Sequence, residues 1–297
     1  MDTEKAEVLL RVLEAGSLSA AAERLGYTPS GVSRIVAALE AETGFPLLRR
    51  EHRGVRPTAE CEQLLPHLHR LAAAQRQYDQ EAAAILGLER GQLTVGSSYG
   101  SYVARLARAA AAFSREHPGI RVEIMTGSST ELGRALQEGR ADLCVISRRE
   151  GAFDWVPLQR DPLAAVVPAD HPLAGGRAFP LERISEEPFI DILPGEETDN
   201  SRLFREAHIQ PRVRFACRDS LSALTMVEAG LGVTLVNALL LEGWRGKTAA
   251  LPLSPPQEVE IGIAVPSLEA VSPAGRRFLA LLTSEEAGPA AEAELGG

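Results

Sequence analysis

The sequence predicts an α + α/β protein with a helical N-terminal part and an α/β remainder. Three observations carry this reading. Apolar residues recur at helical spacing through the first 90 positions, the pattern changes near Gly91 to alternating strands and helices, and 297 residues exceed what one core usually organises. Glu4 to Ala15 carries Val8, Leu9, Val12 and Leu13 on one stripe. Ser17 stands where it caps a second helix running to Gly26, and Thr28 followed by Pro29 gives a cap and a first-turn proline for a third. That third helix directs Val32, Ile35, Val36 and Leu39 toward a core and ends near Gly44. LLRREHRGVRPT then reads as a small hairpin turning at Arg53-Gly54. From Thr58 to about Leu86 a long helix presents Cys61, Leu64, Leu65, Leu68, Leu71, Ala72, Tyr78, Ala82, Ile85 and Leu86. Such a stripe requires a partner helix, and Pro66 should bend it.

Past a flexible link at Gly87 to Gly91, QLTVGSS, IRVEIMT and ADLCVIS read as strands separated by helices at Ser101 to Glu116 and Ser129 to Glu138. This order indicates βαβ units and a parallel sheet. A second block starts at DPLAAVVPAD and continues through PFIDIL, a helix after Asn200, RVRFAC, a helix after Asp219, and GVTLVN. EIGIAVP and the helix SPAGRRFLALLTSE close the ordered chain, and the tail AGPAAEAELGG is expected to fray.

Charge sharpens the division. The chain has 31 basic and 40 acidic side chains, net −9, which by itself argues against a nucleic-acid partner. Residues 1 to 90 hold 11 basic against 13 acidic groups, net −2, leaving −7 for the rest. Within Ser17 to Thr58 the sign reverses: six arginines face four glutamates, and Arg49, Arg50, Arg53 and Arg56 cluster with His52 in the hairpin. No apolar run approaches the roughly 20 residues of a membrane span, and the charged start carries no export signal, so a cytoplasmic location without membrane contact is expected. Cys61, Cys144 and Cys217 lie far apart with no CxxC pair, which predicts neither disulfides nor a metal site. Cys217, ending a strand, would need a lowered pKa or a partner for a redox role. No P-loop, GxSxG elbow or placed base marks an enzyme, and no cofactor is indicated.

Two short helices joined by a tight turn and followed by a basic hairpin match a winged helix-turn-helix. Ala21 and Ala22 let the helices cross closely. Thr28, Pro29, Ser30, Ser33, Arg34 and Ala37 remain on the face or N-terminal end that can enter a major groove.

SLSAAAERLGYTPSGVSRIVAALEAETGFPLLRR with VRPT resembles the signature of LysR-type transcriptional regulators at Ser17, Ala21-Ala22, Leu25, Val32-Ser33, Leu39-Glu40, Gly44 and Leu47 to Arg50. The resemblance runs on through Gly91 to Gly96, His117-Pro118, Leu136 to Asp142, and Val227 with Gly230 to Val233. It implies a winged helix-turn-helix DNA-binding domain at 1–58 and a linker (dimerisation) helix with hinge at 59–90. It further implies a two-lobed α/β effector-binding region of periplasmic-binding-protein type, with lobe I at 91–160 and 267–297 and lobe II at 161–266. The expected partners are double-stranded operator DNA, a small-molecule effector, and copies of the chain itself as a homodimer or homotetramer. DNA contact falls to Thr28, Pro29, Ser30, Ser33, Arg34, Arg49, Arg50, His52, Arg53 and Arg56.

Where many relatives carry Gln this chain has Pro29, and Ala37 and Ala38 stand where basic residues often follow, so base reading by that Gln is unavailable. Pro57 and Cys61 replace the usual Leu and Gly, implying altered wing geometry on an unchanged fold. In α/β lobes ligands sit at strand C-termini beside helix N-termini. Here those positions are Ser97, Ser98, Tyr99, Ser101, Thr126, Ser128, Ser147, Thr198, Asn200, Ser220 and Asn237. Each Ser or Thr also has a reading as a plain helix cap. Arg148-Arg149 would attract an anionic effector and Glu196, Glu197 and Asp199 would repel one. A rival reading makes the chain a small-molecule receptor whose N-terminal half serves mainly for dimerisation.

Overall fold

The computed structural model describes residues 2–51, 54–85, 90–269 and 271–284. His52 and Arg53 of the wing, Leu86, most of the Gly87 to Gly91 link and the C-terminal tail lie outside the described residues.

The head is built from capped helices. Helix α1 (Thr3–Ala15) is capped by Asp2, and α2 (Leu18–Leu25) by the Ser17 hydroxyl, which accepts from the Ala20 N–H. Helix α3 (Pro29–Thr43) starts with Thr28 accepting from the Gly31 N–H at 3.1 Å and Pro29 in its first turn. These satisfy N–H groups that a helix end leaves open. Leu9, Val12, Ala21, Ala22, Val32 and Leu39 form one buried core with Leu47 and Cys61, so the Cys61 thiol fills a space inside the head.

Strands β1 (Leu48–Glu51) and β2 (Gly54–Pro57) pair antiparallel as the expected wing. Two contacts hold it to the helices. Glu40 on α3 accepts from the N–H groups of Leu47 at 2.8 Å and Leu48 at 3.1 Å, and the Val55 N–H donates to Gly16 O at 2.9 Å. Gly54, at φ 131°, lies so close to that turn that a Cβ would meet Gly16 O at 2.2 Å. Glu40→Ala leaves two part-buried amides unsatisfied and should cost about 1–3 kcal/mol, read as a lower urea midpoint of the head.

Helix α4 (Ala59–Ile85) includes Pro66, whose missing N–H the helix tolerates. It docks on the next unit where Arg76 donates to Gly139 O at 2.8 Å and Gln80 Nε2 to Gln92 O at 2.8 Å. Gly139, at φ 70°, permits this approach: a Cβ there would stand 2.5 Å from Ala73 Cβ.

The α/β part starts with β3 (Gly91–Ser97), α5 (Gly100–Glu116), β4 (Ile120–Thr126), α6 (Ser129–Gln137) and β5 (Leu143–Ser147). It continues with β6 (Asp154–Pro168), β7 (Phe179–Pro180), a 3-10 turn at Leu181–Ser185, β8 (Phe189–Ile192), α7 (Asp199–Glu206) and β9 (Val213–Cys217). Helix α8 (Ser220–Glu228), β10 (Thr234–Asn237), α9 (Ala238–Leu241), β11 (Thr248–Ser254), β12 (Glu258–Val265) and α10 (Pro273–Ser284) complete it.

The expected parallel pairing is met in β4-β3-β5, and β8 with β9 and β7 with β11 are parallel too. Beyond β5 the order is β12-β6-β11-β7, and β12 runs antiparallel to both β5 and β6. Strand β6 begins seven residues earlier than DPLAAVVPAD suggested, because Pro157 and Pro162 disguise it. A register shift at Ile261/Gly262 accommodates the interruption. Helix α9, β7, β11 and the 3-10 turn were not anticipated from the sequence.

Two cores give the lobes. Leu93, Val95, Phe113 and Phe278 pack in one, and Phe179, Phe189, Leu203 and Leu235 in the other. Ile261, Ile263 and Val265 of β12, placed by sequence in lobe II, pack in the first core. The two long strands β6 and β12 therefore cross together from lobe to lobe. Among the described residues no helix is long and apolar enough to cross a membrane.

Candidate functional site

Two surfaces concentrate the sequence-predicted residues. On the head, Thr28, Pro29, Ser30 and Arg34 are exposed at the start of α3, Ser33 is half-buried beside them, and Arg49, Arg50 and Arg56 are exposed on the wing. Arg56 pairs with Glu51 at 3.2 Å, whereas Arg34, Arg49 and Arg50 have no carboxylate partner among the described residues. Tyr27, overlooked in the sequence, stands beside the α3 cap and donates to Glu4 at 2.7 Å. That hydrogen bond raises its pKa.

The second surface is a cavity of about 750 Å³ between the lobes, including its open mouth. Ser98, Tyr99, Ser101, Ser128, Thr198, Asn200, Ser220 and Asn237 line it, as expected from their places at strand and helix ends. Three predicted residues do not. Ser97 is buried at the end of β3, bonding the Tyr99 backbone at 3.1 Å; Thr126 is exposed at the end of β4; Ser147 lies beneath the lining and donates to Asp199 Oδ1 at 2.7 Å. The capping reading also holds for several lining residues. Ser128 and Thr198 each form a capping box, and Asn200 donates to Leu235 O at 2.9 Å.

Ser129, within the Thr126 to Thr130 stretch, lines the cavity as well, and sequence reasoning omitted the apolar wall of Ile192, Leu193, Leu235, Val236 and Leu240. Ser129 forms a bond of 2.8 Å with Ser98 and accepts from the Ser147 N–H at 3.0 Å.

The charges at the cleft are paired internally. Arg149 reaches Asp199 Oδ1 at 2.9 Å, Arg148 meets Glu260 at 3.3 Å, Arg205 holds Glu197 at 2.9 Å and Arg218 holds Glu196 at 3.1 Å. Arg149 and Asp199 have side-chain exposures of only 8% and 14%, and they come from opposite lobes. Behind the cleft Asp161 is 3% exposed. Its Oδ1 accepts from the Leu239 N–H at 3.2 Å, and the Asn237 side chain lies beside it. Burial raises the Asp161 pKa. A raised carboxyl pKa stabilises the fold most below its unfolded value, and the benefit is lost as pH climbs through the folded value. Asp161→Asn should therefore raise thermal stability at pH 7, with the gap over wild type closing as pH falls into the range where Asp161 is protonated.

Burial pushes all three thiols upward, Cys61 to about 11 and Cys144 to about 12, so they stay protonated near neutrality. Cys217 donates to Asp219 O at 3.3 Å. Among the described residues no three His, Cys, Asp or Glu side chains gather as metal ligands.

A winged helix-turn-helix head joined through a long helix to a two-lobed α/β receptor defines the class of protein. The family model "LysR substrate binding domain" matches residues 86–287, and "Bacterial regulatory helix-turn-helix protein, lysR family" matches residues 3–62. The chain belongs to the LysR family of transcriptional regulators. It is 30% identical over 268 residues to the probable HTH-type transcriptional regulator LrrA of Synechococcus elongatus, covering 89% of this chain and 90% of that one. It is 26% identical to the uncharacterized HTH-type transcriptional regulator YvbU of Bacillus subtilis, covering 94% and 97% of the two chains. Among solved structures, full-length OxyR of Pseudomonas aeruginosa shares the fold at TM-score 0.69 and 22% identity, covering 96% and 94%. Full-length CbnR complexed with its target DNA does so at TM-score 0.62 and 24% identity, covering 96% and 99%.

Proposed function

We propose that this regulator binds operator DNA through α3 and the wing, and changes its DNA grip when a small molecule enters the interlobe cleft. The observation that carries the reading is the set of exposed arginines that have no carboxylate partner among the described residues, Arg34 on α3 and Arg49 and Arg50 on β1. Arginines left free in this way release counterions when they meet phosphate. Thr28, Pro29, Ser30 and Ser33 stand at the N-terminus that enters the major groove, Arg56 adds charge, and His52 and Arg53 complete the set from outside the described residues. Within the cleft Ser98, Tyr99, Ser101, Ser128, Thr198, Asn200, Ser220 and Asn237 face the ligand, while Ser147 acts from beneath.

The domains are a head at 1–58, a linker at 59–90, and two lobes with their boundary at 160/161 on β6. The return boundary is better drawn within β12 than at 266/267, since Ile261 to Val265 pack in the first core. A chain of net −9 has weak general affinity for DNA, so paired heads supply the binding. Tyr78 and Ile85, 69% and 85% exposed on α4, offer the apolar face on which two linker helices pair, and Val213, Phe215, Leu221 and Leu231 offer a second face for association into a tetramer. DNA as partner implies a cytoplasmic protein. A lining of hydroxyl, amide and apolar side chains supports binding and not turnover as the role of the cleft. An electrophoretic gel shift on DNA upstream of the chain's own reading frame tests the reading. Expected is sequence-dependent retardation that weakens as salt rises, and the absence of any such binding overturns it.

A further inference from the structure

We propose that Asp199 is a built-in occupant of an anion subsite on the first lobe, and that the cleft takes a small carboxylate with an apolar tail that displaces it. This rests on the reading of the cleft as the ligand site.

The donors and the acceptor come from different lobes. Arg149 Nη1 at 2.9 Å and Ser147 Oγ at 2.7 Å both reach Asp199 Oδ1, and the Tyr99 hydroxyl approaches Oδ2 at 3.4 Å. All three donors end or follow β3 or β5 of the first lobe, whereas Asp199 opens α7 of the second. The remaining bonds of Arg149 go to uncharged oxygens: Thr130 Oγ1 at 3.3 Å, Ser147 Oγ at 2.6 Å and Arg148 O at 3.1 Å. In the closed cleft the Arg149 side chain is 8% exposed, and among the described residues its partners from the first lobe are two hydroxyls and a carbonyl, with no acid. A buried cation of this kind demands an anion, and Asp199 supplies it.

The same subsite is open to the cavity, because Arg149, Ser98 and Ser129 line it. Beside them α5 starts with no side-chain cap at Tyr99, and among the described residues the N–H groups of Gly100 and Ser101 make no backbone hydrogen bond. An uncapped helix start favours a negative group. Opposite stands the apolar wall of Ile192, Leu193, Leu235, Val236 and Leu240. The pairing of a cationic subsite with that wall selects a carboxylate carrying a short hydrocarbon tail.

Displacement moves the second lobe. Two further bonds tie the α7 region to the first lobe, Arg202 to Arg148 O at 2.8 Å and Thr130 to Glu197 O at 2.8 Å, and both depend on Asp199 keeping α7 seated. A ligand carboxylate on Arg149 removes the charge partner that seats it. The ligand thereby gains affinity for the parted lobes, which is the difference between states that coupling requires.

The test is calorimetric titration of the full-length chain with hexanoate and, as its uncharged counterpart, hexanamide. Wild type is expected to bind hexanoate and not hexanamide. Asp199→Asn, freed of its internal competitor, is expected to bind hexanoate at least tenfold more tightly, and Arg149→Gln to lose it. Equal binding of hexanamide and hexanoate, no hexanoate binding by wild type and Asp199→Asn alike, or unchanged hexanoate affinity in Asp199→Asn overturns the proposal. If Asp199→Asn does not fold, the wild-type comparison of hexanoate with hexanamide decides. A gel shift on the same preparations separates the two readings: lost DNA binding in wild type sinks the regulator function, whereas intact DNA binding with a failed titration sinks only this one.

Discussion

Alanine at both Arg34 and Arg50 is expected to lower affinity for upstream DNA by about a hundredfold or more per head. A hydrogen bond from a charged donor contributes about 1.5–3 kcal/mol, and each 1.4 kcal/mol is about tenfold, so two such contacts compound. The slope of affinity against salt should fall by about one for each phosphate contact removed. Because both side chains are exposed and neither forms an ion pair among the described residues, the fold should be unaffected, and circular dichroism should match wild type. Fluorescence anisotropy on labelled DNA across a salt series measures both quantities. Unchanged affinity would return the chain to the rival reading, a receptor whose helical half only dimerises. Pro29 gives the experiment added weight. A proline has no N–H and no polar side chain to read a base, so the arginines carry a larger share of the grip.

Arg149→Ala should produce the largest stability loss in the receptor, about 3 kcal/mol. Removing one partner of a buried pair leaves the other charged and unsolvated, a cost that the surviving Ser147 and Tyr99 bonds only partly offset. Asp199 can recover water only if the lobes part. The loss should therefore come with a larger radius of gyration in small-angle scattering as well as a lower urea midpoint. A loss under about 0.5 kcal/mol with unchanged dimensions would show that the pair does not join the lobes, since an exposed ion pair is worth only that much.

The head was legible in the sequence nearly residue by residue. Ser17 and Thr28 mark helix starts through bonds to amides three residues on, and Pro29 through its fixed φ, and such signals survive in any tertiary context. The Arg49 to Arg56 hairpin was visible as two short runs around a glycine. Glu40 was matched as part of a signature, but its role in tying the wing to α3 depends on backbone amides seven and eight residues on. In the receptor, eight of the eleven residues picked out at strand and helix ends line the cavity, and Ser128 and Thr198 among them also cap helices. Strand β6 was shortened by its prolines, and the antiparallel β12 was unreadable because strand direction is a property of the connection and not of the residues within the strand.

The sequence by itself determined the order of the elements, the capped helix-turn-helix with its wing, the length of the linker helix and the confinement of positive charge to Ser17 through Thr58. Each of these is written in local periodicity, in neighbouring caps or in composition. Only the tertiary structure decided which lobe owns β12, which of the strand-end hydroxyls reach the cavity, and what the cleft charges do. Arg149 and Asp199 stand fifty positions apart and read in sequence as opposing influences on a ligand. Folding brings them to 2.9 Å in a place with little water, where attraction between them outweighs the influence of either alone.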